Sequence, residues 1–171
     1  MISRLINRKR KPLRIIIVCT ANVTRSPYFA QRLRNALDEK ADIHRRPILV
    51  ESAGVRAFAG SPPHPVIKIV AEMNGFTLAG HRSKPFTRAM MKRADLVLTM
   101  ERWQAENLLE KFPELEGKVF SIREYGRKTP PEMTDIPDPT GLEVEQYSDF
   151  ANIAGAEADR IAQHILQLEH R

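Results

Sequence analysis

The sequence predicts an α/β fold: a four-stranded parallel sheet flanked by helices on both faces, in three α/β/α layers. Three observations predict it. Four short apolar, β-branched runs, at residues 13–19, 48–52, 95–99 and 118–122, are separated by segments of helical periodicity. These runs are continuously apolar rather than alternating, as strands buried on both faces are. Strands that alternate with helices are joined by crossovers, which makes parallel neighbours the expected arrangement. A chain of 171 residues with 42% hydrophobic residues is the size of one domain and has enough apolar side chains for its own core.

The chain opens on a basic segment. Residues 1–14 carry Arg4, Arg8, Lys9, Arg10, Lys11 and Arg14 and no acidic residue. Without these six, acidic and basic residues balance, so the net charge of +6 sits at one end. Residues 1–12 are therefore expected to be a flexible basic extension ahead of a single domain at 13–171. No aromatic side chain interleaves those cations for base stacking, so nucleic acid is not an expected partner. An acidic surface or an anionic membrane face is what such a tail could touch.

The run Leu13–Cys19 reads as the first buried strand. Its apolar stretch is far too short to cross a bilayer or to act as a signal-peptide core. Ser26 and Pro27 then offer a cap and a first-turn proline, and Phe29, Leu33, Ala36 and Leu37 share one face of the helix that follows. After the second run, Val66, Ile69, Val70 and Met73 form a second helical stripe, which Gly75 is placed to end. Trp103, Leu108, Leu109 and Phe112 indicate a helix closed by Pro113. The stretch 128–141 contains Pro130, Pro131, Pro137 and Pro139 and cannot be a regular helix. Only one helix follows it, so it reads as an ordered functional loop rather than a domain boundary. That last helix carries Phe150, Ile153, Ala154, Ala158, Ile161, Ile165 and Leu168 on its apolar face.

Chemistry concentrates where the first strand meets the first helix. The strand runs directly into Cys19-Thr20-Ala21-Asn22-Val23-Thr24-Arg25-Ser26-Pro27. In a strand, tight loop and helix start, inward backbone N–H groups and the helix dipole together make an anion site, expected here as a phosphate-binding loop after the first strand. Arg25 adds a guanidinium fork that matches two phosphate oxygens. The same field favours a thiolate at Cys19, the nucleophilic form. A buried cysteine at a strand end is often only a small core residue; the strand–loop–helix setting with Arg25 gives it the functional reading. Cys19 is the only cysteine, which excludes an internal disulfide, leaves no thiolate cluster for a metal, and suggests a reducing, cytoplasmic compartment. A leaving phenolate needs a proton, and Asp135-Ile136-Pro137-Asp138-Pro139 holds two candidate acids on the proline-stiffened loop.

Cys19 to Pro27 resembles the phosphate-binding loop of the low-molecular-weight protein tyrosine phosphatases. Supporting segments occur in that family's order over nearly all of residues 13–168: Glu51-Ser52-Ala53-Gly54, Gly60-Ser61-Pro62, Gly80-His81-Arg82-Ser83, Asp95-Leu96-Val97-Leu98-Thr99-Met100 and Asp138-Pro139. The resemblance implies a hydrolase of protein phosphotyrosine that works through a cysteinyl phosphate, with no cofactor and no metal. It implies Cys19 as nucleophile, Arg25 on the phosphate, Thr20, Ala21, Asn22, Val23 and Thr24 as loop residues around it, and Asp138 as general acid and then base. Ser26 would hydrogen-bond the thiolate, and Asn22, Ser52 and His81 would hold the loop in shape. Asp135 is a second-rank candidate beside Asp138. Bacterial relatives often act on autophosphorylated tyrosine kinases of surface polysaccharide production, which makes such a kinase the expected partner.

The sequence departs from the family at several points. Ala21 stands where glycine is usual, and Thr24 stands in place of a second cysteine, removing a disulfide that can protect the nucleophile. Thr140 replaces a common aromatic that walls the substrate ring, leaving Phe58 or Arg56 to form that wall. His64 stands where aspartate is frequent and receives no role. A relative that dephosphorylates protein arginine favours threonine two positions before the loop arginine; here that position is Val23. Arsenate reductases share the loop but need further cysteines. The alternative functions are thus a protein-arginine phosphatase and a phosphate-binding module without turnover.

Overall fold

The computed structural model describes residues 11–40 and 46–169. Most of the basic extension, residues 1–10, lies outside the described residues. Ten elements follow in order: β1 (Leu13–Cys19), α1 (Arg25–Asp38), β2 (Ile48–Gly54), α2 (Pro65–Met73), α3 (Arg88–Arg93), β3 (Leu96–Thr99), α4 (Arg102–Lys111), a 3-10 turn (Pro113–Leu115), β4 (Val119–Ser121) and α5 (Val144–Glu169). The four strands form one parallel sheet in the order β2-β1-β3-β4.

β1 is central, and its alternation divides the core in two. Ile15 and Ile17 face one layer with Phe29, Leu33, Phe150 and Ile161, from α1 and α5. Ile16 and Val18 face the other with Met90, Met91, Leu108 and Leu115, from α3, α4 and the 3-10 turn. All four β1 residues have zero solvent exposure. Burying each such side chain contributes about 1.5–3 kcal/mol, which is why so short a run specifies a central strand. Chain connections leave β1 towards β2 on one side and reach β3 on the other. The carboxyl end of such a strand is a topological switch point, where open α/β sheets bind ligands. Cys19 is its last residue.

The structure corrects several local expectations. Ser26 does not cap α1: the helix begins at Arg25 behind Thr24, and Ser26 is buried inside its first turn. In α2 the buried residues are Ile67, Val70 and Ala71, while Ile69 and Met73 are 58% and 77% exposed. The helix packs against α5, with Ile67, Val70 and Ala71 in the core. Helix α3 was not read from the sequence; six residues give no period, although Met90 and Met91 are both buried. Leu168, near the end of α5, is 47% exposed. Residues 128–141 form an irregular segment without helix or strand, as their prolines require, and Ile136 pins it to the core. Among the described residues, no helix is long and apolar enough to cross a membrane.

Candidate active site

The site is built on the loop between β1 and α1. Gly54, paired with Cys19 at the end of β2, explains how tightly that loop is held. A Cβ at Gly54 would lie 2.5 Å from the Thr20 carbonyl oxygen and 3.0 Å from the Asn22 nitrogen, so only glycine lets β2 approach so closely. Val55 N–H donates to Cys19 O and Arg56 N–H to Thr20 O, both at 3.0 Å, which extends this clamp beyond the strand.

Cys19 is buried, and its sulfur sits among donors. Asn22 N–H points at Sγ from 3.2 Å, and Ser26 Oγ lies 3.0 Å from it. Asn22 Nδ2 donates to Ser26 Oγ at 2.8 Å, so the serine proton is free to point at Sγ or at Ala53 O, 3.3 Å away. The shorter distance, to the larger atom, makes the sulfur the favoured acceptor. Helix α1 adds its N-terminus, with no side-chain cap and no acidic residue in its first turn. Its positive end is left for an anion in the loop.

Asn22 is the only non-glycine residue with positive φ among those described, at 57°. That strain is held by four hydrogen bonds. Nδ2 donates to Ser26 Oγ and to Ser52 Oγ (3.0 Å), Oδ1 accepts from Lys84 N–H (2.9 Å), and the carbonyl oxygen lies 2.7 Å from His81 Nε2. A carbonyl only accepts, so His81 carries its proton on Nε2. Burial lowers the His81 pKa from its ordinary value; its bond to Asn22 opposes this, and Lys84, Arg34 and Arg82 add to the lowering. The ring is therefore neutral at neutral pH and acts as a fixed donor. Ser26, Asn22, Ser52 and His81 form one connected network.

Arg25 is 1% exposed and held between two carboxylates. Nη1 donates to Glu101 Oε1 and, at 2.9 Å, to Ile136 O; Nη2 donates to Asp138 Oδ2 at 2.7 Å and to Thr20 Oγ1 at 3.4 Å. The loop with Cys19 and the proline-rich loop with Asp138 thus meet on one guanidinium. Asp138 Oδ1 accepts Thr140 N–H at 3.0 Å, and Thr140 Oγ1 donates to Thr24 Oγ1 at 3.0 Å. Two of the departures from the family pattern are therefore hydrogen-bonded to each other, and they latch the Asp138 loop to the phosphate-binding loop. Thr140→Val removes that latch but keeps the side chain's shape. One neutral hydrogen bond contributes about 0.5–1.5 kcal/mol, so kcat for an aryl phosphate should fall about twofold to tenfold. The inhibition constant of inorganic phosphate, measured alongside, should stay within about twofold.

Other expected residues fall differently. Asp135 Oδ1 accepts the backbone N–H of Arg102 at 2.8 Å, so it secures the start of α4 and is not seated on the guanidinium. His64 accepts Val66 N–H at 3.3 Å and lies 3.1 Å from Tyr147 Oη, joining α2 to α5. Phe58 is 86% exposed. Arg56, also exposed, lays its guanidinium 5.0 Å from the centre of the Trp103 ring.

Sequence reasoning missed Glu101 and Gln104. Gln104 is buried; Oε1 accepts from Met100 N–H and Glu101 N–H at 3.1 and 3.2 Å, and Nε2 donates to Thr20 Oγ1 at 3.2 Å. Glu101 holds Arg25 with one oxygen and accepts Trp103 Nε1–H with the other. Their spacing was a readable signal: a polar residue after a strand with glutamine three places on is a capping box, which the structure contains.

A parallel sheet with a cysteine and an arginine on one strand-to-helix loop defines a class of phosphate-handling enzymes. The family model for low molecular weight phosphotyrosine protein phosphatases matches residues 14–169. The chain belongs to that family and is a low-molecular-weight protein tyrosine phosphatase, a phosphoric monoester hydrolase. It is 31% identical to the protein-tyrosine-phosphatase Wzb of Escherichia coli over 134 residues, 78% of this chain and 82% of that one. Its fold matches the structure of the YwlE arginine phosphatase from Geobacillus stearothermophilus with a TM-score of 0.82 at 33% identity, covering 94% and 98% of the two chains. It also matches the structure of Wzb from Escherichia coli in complex with sulphate, with a TM-score of 0.77 at 30% identity over 89% and 97%.

Proposed function

We propose that this phosphatase hydrolyses protein phosphotyrosine by double displacement at phosphorus, with Cys19 as nucleophile, Arg25 as phosphate ligand and Asp138 as acid and base. The observation that carries this is the single guanidinium shared by the two loops. It puts the carboxyl of Asp138 beside the loop that opens at Cys19. Residues 13–171 act as the phosphatase domain and residues 1–12 as a basic appendage.

Arg25 Nη2 donates to Asp138 Oδ2. An arriving phosphate competes for that donor, and a dianion with two oxygens matches the fork better than one carboxylate oxygen. Glu101 and Ile136 O keep Nη1 and hold the guanidinium plane while the exchange occurs. Asp138 is then free to take up a proton from solvent and to face the ester oxygen. Cys19 Sγ attacks phosphorus, the S–P bond forms, and the P–O bond to the phenol breaks as Asp138 supplies the leaving oxygen with a proton. Asp138, now a carboxylate, takes a proton from water. The water oxygen bonds to phosphorus, the S–P bond breaks, and inorganic phosphate leaves with the thiolate restored. Loop N–H groups of residues 20–25 and Arg25 stabilise the equatorial oxygens in both steps.

Val23 supports tyrosine over arginine as the phosphorylated residue, since it stands where the arginine-directed relative has threonine. The protein substrate we assign by resemblance to bacterial members is an autophosphorylated tyrosine kinase of surface polysaccharide production. The test is hydrolysis of p-nitrophenyl phosphate by purified protein with reductant and chelator, with acid quenching to trap the phosphoenzyme. Turnover with phosphate recovered on Cys19 is expected. Folded protein without turnover would instead favour a binding module.

A further inference from the structure

We propose that Arg56, seated on Trp103, is a charge filter at the rim of the site that favours a neutral phenol over a guanidinium, so that phosphotyrosine is preferred to phosphoarginine. The inference rests on the tyrosine-phosphatase reading and adds to Val23 a second, electrostatic source of that preference.

Both members of the pair are anchored to the site itself. Arg56 N–H is bonded to Thr20 O, which fixes its backbone against the phosphate-binding loop. Trp103 donates from Nε1 to Glu101, and Glu101 holds Arg25. The guanidinium of Arg56 lies over the indole at 5.0 Å, so the two residues bridge the β2–α2 segment and the start of α4. Among the described residues Arg56 forms no ion pair, whereas its neighbour Arg102 is paired with Glu124 and Arg25 with Glu101 and Asp138. Arg56 is exposed, and among these residues its charge is not offset by a carboxylate as those of Arg25 and Arg102 are. On the other rim Thr140 is too small to stack on a ring.

A phosphotyrosine reaching the loop presents a neutral ring to this rim, and the planar guanidinium on its indole platform offers a stacking face. A phosphoarginine presents a guanidinium next to its phosphate. It meets a like charge, and the cation–π face of the indole is already taken. At an exposed site such an effect is modest and sensitive to salt.

The experiment compares kcat/KM on a phosphotyrosine peptide and a phosphoarginine peptide of the same flanking sequence, for the wild type, Arg56→Gln and Arg56→Lys. The tyrosine-to-arginine ratio should fall about threefold to fivefold in Arg56→Gln and be largely kept in Arg56→Lys. In the wild type it should shrink as salt rises, and in Arg56→Gln it should not respond. An unchanged ratio in Arg56→Gln, or an equal loss on both peptides, overturns the proposal. A wild type that prefers phosphoarginine overturns the tyrosine reading instead, and the salt response and Arg56→Lys arm still decide the filter. A second readout needs no change at Arg56: Trp103 is the only tryptophan. In Cys19→Ser, saturating phenyl phosphate should alter its emission more than saturating inorganic phosphate; equal changes overturn the placement of the ring at this rim.

Discussion

Cys19→Ser should abolish turnover of aryl phosphates, a fall of roughly 10⁴ or more in kcat, while the protein stays folded and still binds phosphate. The substitution is nearly isosteric. A serine hydroxyl fits the buried position, can accept from Asn22 N–H and Ser26 Oγ as the sulfur does, and leaves Arg25 untouched. What it removes is the sulfur nucleophile, since an alcohol is a far weaker nucleophile towards phosphorus than a thiol sulfur. Loss of turnover with phosphate binding retained would separate the chemistry from the anion site. Residual turnover above about 1% of wild type would mean that another group attacks phosphorus.

Asp138→Asn should divide substrates by leaving group. For phenyl phosphate, whose phenolate needs a proton, kcat should drop roughly 10²- to 10³-fold; for p-nitrophenyl phosphate the loss should be at least about tenfold smaller. The structure adds a second, opposite effect. Asp138 is paired with Arg25 Nη2, so its neutral replacement takes away both a competing anion and its repulsion of a dianion. Inorganic phosphate should therefore inhibit Asp138→Asn more tightly than the wild type. Glu101 remains paired with Arg25, so the buried cation is not left without a counter-charge. Equal losses on both substrates, with weaker phosphate binding, would instead give Asp138 a structural role in closing the loop.

How much of the fold and site is legible in the chain depends on sequence separation. The four strands and three of the helices follow from runs and periods only a few residues long, as at Ile15–Val18 and at Phe29, Leu33, Ala36 and Leu37, all of them buried. The loop from Cys19 to Arg25 is legible for the same reason, because one stretch holds the cysteine, the arginine and the helix start. The weaker readings have a common cause. In α2 several apolar side chains compete for one face, and periodicity cannot say whether Ile67 or Ile69 is the buried one. In α3 six residues contain too little pattern.

By itself the sequence determined the α/β class, the four strands and the family, since these rest on local patterns and on motifs in a set order. Only the tertiary structure decided which groups converge on Arg25. Glu101 and Asp138 lie 76 and 113 residues from it, Gln104 lies 84 from Thr20, and Thr140 lies 116 from Thr24. The physical reason is that a buried guanidinium must be matched by carboxylates and carbonyls wherever the fold brings them. The parallel sheet gathers loops from distant parts of the chain at its carboxyl edge, where no local period records them.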